Sequence, residues 1–346
     1  MRILILRFSS MGDVTLTVPV VRAALEQNEN LEIVFVSREF FKPLFYGLKN
    51  FTFYSLLPTG QHKGIIGLWK LSRELKSLGP FDSILDLHSV LRSHILSTFF
   101  SIPVSRIDKG RKQKHLLTAQ KSKIKKQLKT TITRYCDVFR AQNLKIQNVT
   151  LEKSIQTNDK ARDKAKKFLA KHTKTQAKRI AIAPLSAHKL KELPAESMQS
   201  VIQELSQTKI KNRHIEIFIL GSEKERSTLD EYCNGLKIHN VAGQFTFEEE
   251  LAFIAELDTV VTMDSANLHI AAGLGVRTVS IWGPTHPFTG FGPPDTKNHI
   301  CISIEELECR PCSVFGEKKC YRDDFACMKQ IKPKNIVNTI TDLLKI

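Results

Sequence analysis

The chain opens on an apolar run, "RILILRF", of strand length, and residues 13–27 then follow a helical period. "LEIVFVS" and "FDSILDLH" are further strand-like runs, with helical patterns beside them at residues 64–78 and 90–100. Buried aliphatic strands alternating with helices predict a parallel sheet covered on both faces. The alternation lapses over residues 109–129, a basic stretch with little apolar periodicity that reads as a mobile loop or an exposed helix. "TTITRYCDVFRAQNL" resumes a helical pattern, and residues 159–172 form another, heavily charged. "KTQAKR" after it is the best linker candidate. A second alternating unit begins at "RIAIAPLS", with further strands at "HIEIFILGS", "TVVTMDS" and "RTVSIWGPT" and helices from Lys224 and over "ANLHIAAGLG". The expected fold is α/β with two doubly wound, Rossmann-like domains, residues 1–175 and 176–332, followed by a last helix in 333–346. Such sheets bind ligands beyond the carboxyl ends of their strands.

A length of 346 residues suits two domains, and 42% hydrophobic content suits two cores. No run reaches the roughly eighteen apolar residues of a membrane span. The opening run is too short for a signal peptide, so a cytoplasmic protein is expected. Net charge is +17, and it is concentrated. Residues 109–179 hold 22 Lys and Arg against 4 Asp and Glu, a net of +18, which leaves −1 for the rest. Such a field attracts phosphate, anionic lipid or nucleic acid, unless it is only a solvated Lys-rich surface. The segment lacks interleaved aromatics and any nucleic-acid motif, which argues against a nucleic-acid binder.

Four stretches carry candidate chemistry. In "RFSSMGD", Ser10, Gly12 and Asp13 lie at the carboxyl end of the first strand, where Gly12 permits close backbone approach. Asp13 suits a helix cap, a ligand contact or a catalytic base. The stretch lacks the G-x-G-x-x-G of a dinucleotide site, which weighs against an epimerase or dehydrogenase. In "DSANLHIAAGLG", Asp264, Ser265 and Ala266 open a helix whose free N–H groups suit a pyrophosphate, with His269 in its first turns as a ligand contact or a packed residue. In "APLSAHKLKELP", Ser186 ends a strand and Lys189 and Lys191 follow, able to stabilise a departing diphosphate. In "LGSEKER", Glu223 or Glu225 could bond ribose hydroxyls, though acids also favour a helix's first turn. The tail holds a different cluster, Cys309, Cys312, Cys320 and Cys327. These suit packed thiols, a structural zinc or iron–sulfur site, or disulfides.

Together these stretches resemble glycosyltransferase family 9, the heptosyltransferase-like enzymes of lipopolysaccharide core synthesis. The likeness spans most of the chain. It rests on "RILILRFSSMGDVTLTVPVVRAAL", "FDSILDLHSVLRS", "RYCDVF", "DSANLHIAAGLGVRTVSIWGPT" and the Cys-rich ending. The resemblance implies a GT-B fold with two domains facing a cleft, an inverting mechanism, no cofactor and no catalytic metal. It implies that Asp13 is the general base and that Lys191 contacts the donor phosphates. It likewise makes Glu223 the ribose contact and Asp264, Ser265 and His269 donor contacts, with Ser10, Gly12, Ser186 and Ala266 beside them and His88 and Arg92 on the acceptor side. The implied partners are a nucleotide-sugar donor such as ADP-heptose, a lipopolysaccharide inner-core acceptor and the anionic inner-membrane surface. The final helix would cross back to the first domain. Two positions depart from the family pattern: Leu193 stands where Trp is common, and Ala266 where the second signature has Gly.

Overall fold

The structure, a computed structural model, describes residues 1–174, 176–293 and 297–345. The chain folds as two compact units, Met1–Gly110 with Lys129–Gln156, and Arg111–Leu128 with Thr157–Ile346.

The first unit is built on a five-stranded parallel sheet. Its strands are β1 (Arg2–Leu6), β2 (Glu32–Ser37), β3 (Phe51–Ser55), β4 (Ser83–Asp86) and β5 (Val104–Arg106), in the order β3-β2-β1-β4-β5. β1 is central and buried on both faces, which is why it reads as an unbroken aliphatic run. Leu68, Leu71 and Leu75 of the helix Gly64–Lys76 pack on Leu4, Leu6, Val34 and Ile84 of the sheet. The helix expected at 13–27 is broken: Met11–Thr15 and Val18–Gln27 are separate, and Pro19 lies in the first turn of the second. Proline cannot donate to the preceding turn, but it is tolerated at a helix start.

The second unit holds a seven-stranded sheet. Its strands are β6 (Lys178–Ala183), β7 (Lys209–Ile210), β8 (Arg213–Ile219), β9 (His239–Asn240), β10 (Thr259–Met263), β11 (Arg277–Ile281) and β12 (His299–Ile302). The order is β12-β11-β10-β6-β8-β7, with β9 beside β8, and among the described residues only β7 pairs antiparallel.

The division falls earlier than the expected boundary at 175. The helix Asp159–His172 belongs to the second unit, where it buries Ala161, Ala165 and Leu169. Its Phe168 joins Phe218, Phe245 and Phe253 in an aromatic cluster, and Lys164 pairs with Glu249 at 2.8 Å. The segment Arg111–Leu128 also folds with the second unit. The Lys123 ammonium donates to the carbonyls of Glu308, Cys309 and Pro311 at 3.1, 2.6 and 2.9 Å. The final helix, Pro333–Lys345, sinks Ile336, Val337, Ile340, Leu343 and Leu344 into the second unit's core, so its apolar face is committed there.

Candidate active site

In each parallel sheet one pair of neighbouring strands marks where the chain reverses its direction of winding. Loops leaving such a pair diverge and open a crevice at the carboxyl ends. In the first unit the pair is β1 and β4, and in the second it is β6 and β10. Most of the predicted site residues lie at these two points, while Glu223 follows β8.

Beyond β1, Arg7 is buried and its guanidinium reaches the Asp13 carboxylate at 2.6 Å. A second nitrogen of Arg7 donates to the Leu87 carbonyl, just past β4, at 2.8 Å. Ser10 is the N-cap residue of the helix Met11–Thr15, yet its hydroxyl donates to Asp13 at 2.8 Å and caps no backbone group. Asp13 is the third residue of that helix, and its carboxylate is held by Arg7 and Ser10. It is not the helix cap that the sequence allowed. The Tyr135 hydroxyl donates to the Asp13 carbonyl at 3.3 Å, and the Arg7 guanidinium lies over the Tyr135 ring.

Beyond β4, the fully buried Asp86 organises the turn that carries His88. One carboxylate oxygen accepts from the N–H groups of His88 and Ser89, and the other accepts from the Ser93 hydroxyl. His88 Nδ1 accepts from the Phe8 N–H at 3.4 Å, which leaves its proton on Nε2. Burial, then the nearby charges of Arg7 and Lys109, push the His88 pKa down to about 3, so the imidazole is neutral at physiological pH. Arg92 lies in the first turn of the helix Leu91–Thr98 and is half-buried. Sequence reading missed Arg7 and Asp86, although each was visible as a charged residue ending a strand that is otherwise apolar.

In the second unit, Lys191 and Asp264 are brought together. Lys191 Nζ donates to Asp264 at 3.2 Å, and both side chains are largely buried. Lys191 follows β6, and Asp264 follows β10 directly. Ser265 precedes the helix Ala266–Gly273, and its hydroxyl bonds Thr262 at 2.9 Å. Ala266 has helical backbone, so the position does not need the glycine common in the family. His269 is buried within the same helix. The Ser186 N–H donates to Glu192, which pins the turn before Lys191. Leu193, where the family pattern has Trp, is an ordinary member of the core.

Of the two acids in "LGSEKER", one caps the turn. Glu225 accepts from both the N–H and the hydroxyl of Ser222, at 2.8 and 2.7 Å, and is used locally. Glu223 is exposed and lies against Gly243. Gly243 has φ +67°, and a Cβ there would come within 2.6 Å of the Glu223 side chain.

The Cys-rich tail supports this half-site from behind. Arg310 is fully buried and donates to the carbonyls of Trp282, Gly283, Thr285 and Ile304, fastening the tail to the "WGPT" segment after β11. Gly316, with φ +83°, lies so close to Lys191 that a Cβ would meet its stem at 2.4 Å. All four tail cysteines are free thiols. Burial, and then its sister cysteines, push Cys327 up to about 12, and Cys312 is raised for the same reasons. Among the described residues no three His, Cys, Asp or Glu side chains are gathered as a metal ion would require. Burial thus favours the protonated thiol at Cys312 and Cys327.

Comparison with known proteins adds the family. The model of glycosyltransferase family 9 (heptosyltransferase) matches residues 68–321. The chain belongs to that family. The family match begins after Asp13, so the opening turn stands on its geometry and on the resemblance of its motif. A similar relative is lipooligosaccharide heptosyltransferase 2 of Campylobacter jejuni subsp. jejuni serotype O:2, 31% identical over 139 residues. That alignment covers 38% of this chain and 41% of the relative. Among solved structures, a family 9 glycosyl transferase from Veillonella parvula DSM 2008 has a TM-score of 0.80 at 18% identity, over 99% of this chain and 97% of that one. The E. coli ADP-heptose lps heptosyltransferase II has a TM-score of 0.71 at 17% identity, over 99% and 98%. At such identities the likeness speaks for the fold, which is GT-B.

Proposed function

We propose that this family 9 chain transfers heptose from ADP-heptose to a lipopolysaccharide-core acceptor, with inversion and without a metal in the chemistry. The observation that carries the reading is Asp13, a carboxylate fixed by Arg7 and Ser10 at the switch point of its sheet. In this mechanism Asp13 takes the proton of the acceptor hydroxyl as that oxygen attacks the anomeric carbon. The bond from that carbon to the diphosphate oxygen breaks on the opposite face, and the leaving ADP takes the electron pair. A single base suffices for inversion, because no covalent glycosyl intermediate has to form.

The negative charge on the departing diphosphate falls to Lys191 and to the N–H groups opening the helix Ala266–Gly273. Lys191 would exchange its Asp264 contact for a phosphate oxygen when donor enters. Glu223 is assigned to the ribose hydroxyls, and the neutral His88, a donor through Nε2, and Arg92 are assigned to the acceptor.

The test is turnover with ADP-heptose and an inner-core acceptor. Asp13→Ala is expected to lower turnover roughly a hundredfold or more while ADP still raises the melting temperature. Near-normal turnover would remove Asp13 from the role of base. A thermal-shift comparison of ADP, GDP and UDP tests the donor separately: a larger shift with GDP or UDP would replace ADP-heptose with another nucleotide sugar.

A further inference from the structure

The helix Gly64–Lys76 of the first unit has two faces of different use. Gly67, Leu68, Leu71, Ser72 and Leu75 point into the sheet and are buried. At 100° per residue, the opposite face carries Ile65, Ile66, Trp69, Lys70, Arg73 and Lys76. Ile65 is 66% exposed, Ile66 82% and Trp69 50%. Single exposed apolar residues need no explanation, but three in the first two turns of one helix form a patch. Just before them Leu57 is exposed, in the turn leading to the helix.

The charges on this face are of one sign. Lys63 is exposed at the helix start, and Lys70, Arg73 and Lys76 follow along the outer face. The helix has one acid, Glu74, and it is turned away: its carboxylate accepts from the Tyr54 hydroxyl at 2.6 Å and bonds His62 at 2.9 Å. The Arg73 guanidinium lies over the Trp69 ring at 5.3 Å, so the aromatic and the cation form one element. Apolar side chains with an interfacial tryptophan, rimmed by cations, match the boundary of an anionic bilayer, where acyl chains receive the first and headgroup phosphates the second.

We propose that the outer face of Gly64–Lys76 is a docking surface for an anionic phospholipid membrane, with Ile65, Ile66 and Trp69 entering the headgroup region and Lys63, Lys70, Arg73 and Lys76 pairing with phosphates. The choice of a membrane as occupant rests on the proposed acceptor being lipid-anchored. The test needs no acceptor and no turnover, so it fails or succeeds apart from that reading.

Trp69 is its own reporter. The chain has two tryptophans, and Trp282 is fully buried. A change in emission on adding vesicles therefore reads Trp69. With full-length protein, phosphatidylcholine vesicles containing phosphatidylglycerol should shift the emission to the blue and let brominated lipid quench it. Pure phosphatidylcholine vesicles should do little. Ile66→Ser with Trp69→Ser is expected to lower vesicle partitioning in flotation roughly tenfold or more, with an unchanged melting temperature because neither side chain belongs to the core. Lys70→Ser with Arg73→Ser should reduce the preference for anionic lipid and its salt sensitivity. Wild-type partitioning by the Ile66/Trp69 variant would overturn the proposal, as would vesicle binding with no change in Trp69 emission. An emission shift that follows protein concentration without vesicles would assign the face to a second copy of the chain, and overturn it as well.

Discussion

Arg7 fixes the carboxylate of Asp13, the proposed base. The guanidinium bridges the Asp13 carboxylate and the Leu87 carbonyl, tying the loop after β1 to the loop after β4. A base displaced by an ångström loses on the order of a hundredfold in rate. Arg7→Met is therefore expected to lower kcat by about ten- to a hundredfold while the KM for donor changes little, with partial rescue by Arg7→Lys; steady-state kinetics with each substrate varied would show it. A role in folding alone would lower the amount of folded protein without this split. His88 beside it gives a pH signature. Its pKa falls from 6.5 unfolded to about 3 folded. Between those values the unfolded chain binds a proton that the folded chain does not, so stability falls as pH falls through that window. Replacing it, as His88→Gln, should flatten the acid limb of a melting-temperature profile relative to wild type, while leaving the profile above pH 7 unchanged.

At the scale of elements, legibility followed burial. β1, β2, β4, β6, β8, β10 and β11 read directly, because central parallel strands are aliphatic on both faces. β3, β5 and β12 went unread. Each lies at a sheet edge and is only partly buried, so its pattern is mixed. Asp13, Lys191 and Asp264 could be found from motif and position. The use of Asp86 as the organiser of a turn and of Arg310 as a clasp on carbonyls could not, because each depends on the turn geometry or on partners that only the fold brings together. Gly316 is the sharpest case. No local pattern marks it, yet it borders Lys191, about 125 residues earlier, by the close packing that only a residue without a Cβ allows. Gly316→Ala combines a strained φ of +83° with contact on the lysine stem. It should raise the Kd for ADP several-fold in calorimetry, while Lys191→Ala abolishes most of the difference between the two backgrounds.

For the whole molecule, charge follows the fold and not the sequence order. Of the +18 in residues 109–179, residues 111–128 supply +7 and residues 157–179 another +7, and both stretches fold with the second unit. Most of the basic segment therefore belongs to the second unit, and residues 109–110 and 129–156 leave +4 of it on the first unit, where the outer face of Gly64–Lys76 adds further cations. The same partition makes the assignment of ligands testable without turnover. Lys191, Asp264, Ser265 and Glu223 all belong to the second unit, and Asp13, His88 and Arg92 to the first. Hydrogen exchange with saturating ADP should then slow most at residues 184–192 and 264–273, the strand end and the helix start that a diphosphate is proposed to occupy. Residues 7–13 and 87–92 should change little until an acceptor is added. Lys191→Ala should weaken the protection at both second-unit segments together, because the lysine and the helix start are taken to hold the same phosphates. Protection by ADP centred on residues 7–13 would instead reverse the assignment of donor and acceptor sides, and Asp13 would then be a donor contact and not the base.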